Sequence, residues 1–244
     1  MTVYLVGAGP GDPGLLTVRG LELLRRADAV VYDDLVAPEL LDEVPASAHL
    51  VPRTGLRQPE VDELLVALGR SFATVVRLKG GDPFLFGRGR EELDALSSAG
   101  IACEVVPGVS ALTAVPAAAG IPLTQRGVSA QVTVVTGRSA DGDDLDLAAL
   151  AATPGTLVVF MGVARLGELA AGLLAAGKAP ETPAAVVASG TTDRQRTVAG
   201  RLDEIADLAR DLESPALTIV GPTAALAHVE PCTARAVCEP AVRE

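Results

Sequence analysis

The stretch RLKGGDPFLFGRG, residues 77–89, sets an acid, Asp82, directly after Gly80 and Gly81 and ahead of two phenylalanines and the cations Arg88 and Arg90. Only four Phe occur in the whole chain, so two in one turn is a concentration. Glycines let main-chain N–H and C=O groups approach a ligand with no Cβ in the way. Asp82 can accept hydrogen bonds from an ammonium group or from ribose hydroxyls, and arginine pairs through a planar fork with carboxylates. The chemistry on offer is a main-chain cradle for a cationic ligand beside a surface for an anion.

A second glycine-rich stretch, GAGPGDPG (7–14), precedes Asp33 and Asp34 and invites comparison with a dinucleotide fingerprint. The match fails: G-x-G-x-x-G anchored at Gly7 and Gly9 needs glycine at position 12, where Asp12 stands. An acid there repels a pyrophosphate, and Pro10 and Pro13 remove two donors. The residues read as a tight turn with Asp12 capping the helix that follows. A ligand with a ribose but no phosphate, such as S-adenosylmethionine, fits better. A nicotinamide reading with Asp33 on the ribose stays open as an alternative.

Short apolar runs alternate with helical patterns and supply the frame for these turns. Strands are predicted over 2–9, 28–34, 49–53, 73–80 and 102–108, with helices over 14–27, 59–70 and 88–99. Strands apolar on both faces and separated by helices imply a mostly parallel sheet covered on both sides. Residues 108–127 read as a short helix and a connector. A second set then runs as strands at 130–137, 155–162, 183–190 and 215–221 with helices near 144–152, 164–176 and 201–211. The segment TTDRQRTVAGRL looks like a hairpin arm, so this sheet is expected to be mixed. The expectation is an α/β chain with an N-terminal lobe over 1–112, a C-terminal lobe over 113–230 and a flexible tail over 231–244, with 138–146 a flexible surface loop. The glycine-rich strand ends at 7–14, 80–82, 107–110, 161–162 and 189–191 then fall where open α/β sheets bind ligands.

Composition excludes several classes. The chain of 244 residues is 49% hydrophobic but only 2% aromatic, so Leu, Val and Ala must fill the core. A net charge of −11 argues against nucleic acid and anionic membranes as partners. No apolar run is long enough to span a bilayer, and the first residues lack the pattern of a signal peptide. Three cysteines make no disulfide framework; Cys103 reads as a core residue, while Cys232 and Cys238 fall in the tail. Two isolated histidines make a metal site improbable. The expected setting is cytoplasmic.

Ordered along the chain, VGAGPGDPGLLT (6–17), ADAVVYDDLV (27–36), VVRLKGGDPFLFGRG (75–89), VVPGVSA (105–111), GIPLT (120–124), VTGR (135–138), FMG (160–162), SGTTDRQRTV (189–198) and SPALTIVG (214–221) strongly resemble the uroporphyrinogen-III C-methyltransferases of the tetrapyrrole methylase superfamily. The resemblance covers nearly all of residues 2–228. It implies a two-lobed tetrapyrrole methylase fold, a homodimer, and S-adenosyl-L-methionine folded into the cleft, leaving S-adenosyl-L-homocysteine as product. Motif by motif, the donor contacts it implies fall on Pro10, Gly80, Gly81, Asp82, Leu85, Ser110, Ala111, Met161 and Gly190. The implied substrate is uroporphyrinogen III, a macrocycle with eight carboxylates, methylated at two ring carbons in succession to precorrin-2. Asp33 matches the family's proton acceptor, and Arg88 with Glu91 could clamp substrate or relay a proton. Arg19, Arg53, Arg57, Arg77, Lys79, Arg88, Arg90 and Arg126 are candidates for the patch that meets its carboxylates, and Phe84 and Phe86 are expected to anchor the turn.

The pattern departs from the family on the substrate side. Pro52 and Arg53 stand where Gly-Lys is usual, and Arg is too weak an acid to replace that Lys as a proton donor, so Arg53 is read as a carboxylate ligand. The loop TGLRQPE (54–60) is short and lacks the family's His, and Gln125 and Gly127 replace a usual His and Asp. A methyltransferase of a later corrin precursor and a noncatalytic paralogue remain the alternatives.

Overall fold

The computed structural model describes residues 1–137 and 145–228. Arg138, most of the expected loop over 138–146, the expected tail, Cys232 and Cys238 lie outside the described residues. The first sheet is built from β1 (Thr2–Gly7), β2 (Ala29–Tyr32), β3 (His49–Pro52), β4 (Thr74–Lys79) and β5 (Ala102–Val106), in the order β3-β2-β4-β1-β5. Every pairing in it is parallel.

Alternation along these strands sends side chains to two separate cores. Val3 and Leu5 of β1, Ala29 and Val31 of β2 and Val75 of β4 pack with Val61 and Leu65 of α2 (Gln58–Ser71) and Leu96 of α3 (Gly89–Ser98). On the other face Val6, Val30, Val76 and Leu78 meet Leu23 and Leu24 of α1 (Val18–Leu24), together with Leu40. Helices on both faces are what the uniformly apolar strands require.

The second sheet has the order β6-β7-β10-β8-β9, from β6 (Val132–Thr136), β7 (Thr156–Phe160), β8 (Pro183–Ala188), β9 (Arg196–Arg201) and β10 (Ala216–Val220). Only β6 and β7 run parallel; β10 is antiparallel to both β7 and β8, and β8 to β9. The expected hairpin arm is β9, and the expected mixed sheet is found. One face is covered by α5 (Leu147–Ala152), α6 (Leu166–Ala175) and the single turn α7 (Ile205–Leu208). The other receives α4 (Ala111–Ala118), whose Val115 packs with Val158, Ala185, Val187 and Ile219. The expected lobe boundary after residue 112 thus falls inside α4.

Three of the predicted helices are shortened by an identifiable local feature. The one predicted over 14–27 is split: Pro13–Leu15 form a 3₁₀ turn capped by Asp12, whose Oδ1 accepts from Gly14 N at 2.8 Å, and a new start at Thr17 caps α1 through Gly20 N. The one near 144–152 begins only at Leu147, because Asp146 caps it by accepting from Ala149 N at 2.9 Å. The one over 201–211 shrinks because β9 runs on to Arg201, in register with Pro183. Cys103 packs against the α2/α3 core, and burial pushes its thiol up to about 11, as expected of an inert core cysteine. Among the described residues no helix is long and apolar enough to cross a membrane.

The C-terminal end of α5 is closed by Lys178, whose ammonium donates to the carbonyls of Leu150, Ala151 and Thr153 at 3.2–3.5 Å. Replacing those three bonds leaves orphaned carbonyls at a helix end. Lys178→Met is expected to lower the free energy of unfolding by about 1–2 kcal/mol in denaturant titration. An unchanged midpoint would remove Lys178 as the cap.

Candidate functional site: main chain at the strand ends

At the carboxyl ends of β1, β4 and β5 three segments of backbone touch. A Cβ on Gly7 would lie 2.5 Å from Gly108 Cα and 2.6 Å from Gly81 O. One on Gly108 would lie 2.3 Å from Gly81 O. Real Cβ contacts do not reach such distances, so these positions admit glycine alone. Gly81 has φ +66° and pairs with Gly9 in an isolated two-residue bridge, donating to Gly9 O at 2.7 Å. Pro10 therefore leaves β1 directly beside the Gly80–Asp82 turn.

Asp82 fastens this corner. Its Oδ1 accepts from Phe84 N at 2.8 Å and its Oδ2 from Gly108 N at 3.1 Å. One carboxylate thus ties the exit of β4 to the exit of β5, two residues before Ser110. Ser110 caps α4 by accepting from Leu112 N, and the N–H of Ala111 lies 3.8 Å from where a Cβ of Gly81 would be. The structure accordingly brings Pro10, Gly80, Gly81, Asp82, Ser110 and Ala111 together.

The second sheet presents its own strand ends to this corner. Asp12 N donates to Thr191 Oγ1 at 3.1 Å, and a Cβ on Gly11 would meet Thr192 Cγ2 at 2.8 Å. Gly190 is packed against Val115 so tightly that its Cβ would fall 2.6 Å from Val115 Cγ1. Gln195 fixes the turn, accepting from Thr191 N and donating to Ala118 O. Phe86 reaches the end of β7, its ring 5.2 Å from that of Phe160, next to Met161. Of the two expected anchors only Phe86 makes such a ring contact; Phe84 is 52% exposed. Leu85 between them is half-buried.

Among the described residues, five other than glycine have positive φ: Phe86, Arg88, Met161, Ser189 and Thr191, between 48° and 70°. All follow β4, β7 or β8. Left-handed backbone disfavours side chains and persists where the surroundings over-determine it, and such residues cluster at active sites, ligand clamps and switch regions. Met161 is also 48% exposed, far from a core methionine.

Asp33 lies at the end of β2, next to β4. Its Oδ1 accepts from Arg77 Nη2 at 2.5 Å, and its Oδ2 is 3.4 Å from Gly80 N. Arg53 approaches at 4.0 Å, and its Nε is buried with no hydrogen-bond partner. Arg77 and Lys79, expected in the substrate patch, are instead buried at 1% and 2% exposure against Glu92 of α3. They are on the inner face of a central strand and cannot meet a substrate. Burial, reinforced by the charge of Arg77, pushes the Lys79 ammonium below its ordinary pKa, against the pull of Glu92.

The other expected cations are exposed, and most have carboxylate neighbours: Arg19 with Glu104, Arg57 with Glu60, Arg90 with Asp94. Arg126 is exposed in the connector. Arg88 and Glu91 form a two-bond pair at 2.9 and 2.5 Å, half-exposed, which holds Glu91 below the usual carboxylate range and Arg88 above its own. Among the described residues no group of His, Cys, Asp and Glu could hold a metal ion. Two surface cavities, of about 310 Å³ beside Lys178 and about 480 Å³ beside Thr113 and Gly120, lie away from the Gly80–Asp82 turn.

The family profile of tetrapyrrole (corrin/porphyrin) methylases matches residues 2–206. The chain belongs to that family. The uroporphyrin-III C-methyl transferase of Thermus thermophilus, solved with S-adenyl homocysteine, is 42% identical and superposes with a TM-score of 0.82 over 91% of this chain and 98% of that one. A cobalt precorrin-4 methyltransferase is 29% identical with a TM-score of 0.83, covering 90% of this chain and 94% of its own. Siroheme synthase 1 of Yersinia enterocolitica (serotype O:8 / biotype 1B) is 48% identical over 233 residues, which are 93% of this chain and 49% of that protein. The chain spans about half the length of the curated relatives it matches.

Because Gly108 has no room for a methyl group, Gly108→Ala must push the β5 exit away from Gly81. The expected outcome is a loss of S-adenosylhomocysteine affinity of at least about tenfold by calorimetry, with about 1–3 kcal/mol of destabilisation. Unaltered affinity would remove this corner from the donor site.

Proposed function

We propose that the chain transfers methyl groups from S-adenosyl-L-methionine to two ring carbons of uroporphyrinogen III in succession, giving precorrin-2 on the route to siroheme or cobalamin. The observation that carries this reading is the corner where Gly7, Gly81 and Gly108 press three strand exits into main-chain contact and leave Gly80–Asp82 and Ser110–Ala111 side by side and only partly buried. A ribose and an amino-acid head need main-chain donors and acceptors at close range, and Gly80 and Gly81 offer theirs with no Cβ in the way. When bound, S-adenosylmethionine supplies an electrophilic methyl group on a sulfonium centre. Pro10, Gly80, Gly81, Asp82, Leu85, Ser110, Ala111, Met161 and Gly190 are the residues proposed to hold it.

The protein's own part is positioning, charge and proton removal. Asp82 keeps two strand exits in register, so main-chain N–H and C=O groups keep fixed directions. Loss of aromaticity at the attacked pyrrole builds positive charge on the macrocycle, which a nearby carboxylate stabilises, and a proton must then leave. Asp33, held by Arg77 beside Gly80, is the proposed acceptor. Arg53, with a buried N–H lacking a partner 4.0 Å from Asp33, is proposed to take a substrate carboxylate. Arg88 can exchange Glu91 for another carboxylate at little cost, since half-exposed pairs are weak.

The homodimer implied by the resemblance could draw on apolar side chains left open to solvent, such as Leu35 and Leu50 at 60% and 45% exposure. A cytoplasmic setting belongs to the same proposal. A second reading, action on a later corrin precursor, draws on the likeness to the cobalt precorrin-4 enzyme and on the substitution at Arg53.

Incubation with S-adenosylmethionine and uroporphyrinogen III should yield a product heavier by two methyl groups. Asp33→Asn is expected to cut turnover by about 100-fold or more with donor affinity intact. Methylation of a precorrin but not of uroporphyrinogen III would transfer the assignment to the second reading.

A further inference from the structure

β4 is the middle strand of a parallel sheet, yet it carries two cations on one face. Arg77 and Lys79 follow Val75 at strand spacing, so all three point to the side covered by α2 and α3. α3 answers with Glu92, which has no exposure at all. Glu92 Oε1 accepts from Arg77 Nε at 3.1 Å and from Lys79 Nζ at 2.9 Å, and its Oε2 accepts from Lys79 Nζ at 2.9 Å. Gln58 of α2 lies 3.4 Å away and turns its amide mainly to Asp62. On its far side Arg77 donates Nη2 to Asp33 Oδ1 at 2.5 Å, and its Nη1 donates to Leu78 O at 3.2 Å.

The guanidinium therefore bridges a fully buried carboxylate and the carboxylate at the β2 exit. With Asp33, Arg77, Lys79 and Glu92 the quartet is charge-neutral. A buried ion pair is weak as a stabiliser, and well-packed apolar side chains would serve a core as well or better. What the quartet does supply is direction: a fork clamped at both ends has one orientation. We infer that Glu92 is a positioning residue, holding Arg77 so that Arg77 fixes the Asp33 carboxylate beside Gly80. The inference rests on the reading of Asp33 as proton acceptor. Lys79 bridges both oxygens of Glu92 and balances its charge.

A purely structural Glu92 would matter only through stability, so the test separates charge balance from the hydrogen bond to Arg77. Lys79→Met/Glu92→Gln removes both charges but keeps an acceptor for Arg77 Nε. Lys79→Met/Glu92→Leu removes the charges and the acceptor. Both remain neutral, and each is compared with the unaltered protein for thermal unfolding, S-adenosylhomocysteine affinity and steady-state methylation of uroporphyrinogen III. The Gln variant should keep kcat within about threefold, while the Leu variant loses on the order of 10- to 100-fold, with donor affinity and KM little changed, because a displacement of about 1 Å is enough for that. Equal kcat in the two variants, or loss of donor affinity in step with kcat, would overturn the inference. If the Leu variant does not fold, Arg77→Lys, which keeps the charge and loses the fork, gives the answer: full kcat there overturns it, and a kcat-only loss upholds it. Failure of the functional reading looks different, since the unaltered protein itself would then leave uroporphyrinogen III unmethylated.

Discussion

Contact between main chains governs this molecule. Gly7, Gly81 and Gly108 bring the ends of β1, β4 and β5 together more closely than any side chain permits. Parallel strands normally diverge into loops at their carboxyl ends; here the bridge between Gly9 and Gly81 and the two bonds accepted by Asp82 hold the loops together. Everything further out follows from that pinch. Phe86 and Arg88 take left-handed backbone because the chain must turn sharply between Pro83 and α3, and Gly89 N closes the turn on Pro83 O at 3.1 Å. Each such residue costs of order 1 kcal/mol or more and persists because the corner leaves no alternative.

Charge is arranged around the corner in two layers. The inner layer is neutral: Arg77, Lys79 and Glu92 are out of water, and Asp33 is its partly exposed end, so it adds direction rather than net charge. The outer layer, Arg53 and the Arg88–Glu91 pair, stays partly solvated. A net charge of −11 would repel a polyanion at distance, yet screening limits that field to about 8 Å at physiological salt. A few arginines at the mouth of the gap can then outweigh the rest of the surface. Across the gap the second sheet contributes turns, Ser189–Thr191 and Met161, fastened through Gln195, Val115 and the Phe86–Phe160 contact.

The strands were legible in the sequence because β-branched apolar runs have few other places to go, and the polar run opening TTDRQRTVAGRL set β9 apart from the buried parallel strands as a hairpin arm. The helix starting at residue 14 was not, since Thr17 begins a second helix inside what reads as one continuous apolar pattern. The glycine-rich strand ends stood out as a candidate site for a positional reason: open α/β sheets bind ligands at the carboxyl ends of their strands. Arg77 and Lys79 were misplaced as surface cations because residue type alone cannot say which face a strand residue takes. A clue was present nonetheless. Two cations at strand spacing inside VVRLK demand a buried anion, and Glu92, one helical turn before Leu96, lies on the apolar face of α3. Asp82 was read as a ligand acceptor and proves to be first a tie between two loops.

The strand-end corner is the proposed seat of the donor, and the rest of the site is built around it. A crystal structure of the protein with S-adenosylhomocysteine measures that directly. The ligand should lie between the two sheets, its polar groups on the main chain of Gly80–Asp82 and Ser110–Ala111 and its flank near Met161. Density for the ligand away from that gap, or in it without contact to the Gly80–Asp82 turn, would contradict the account.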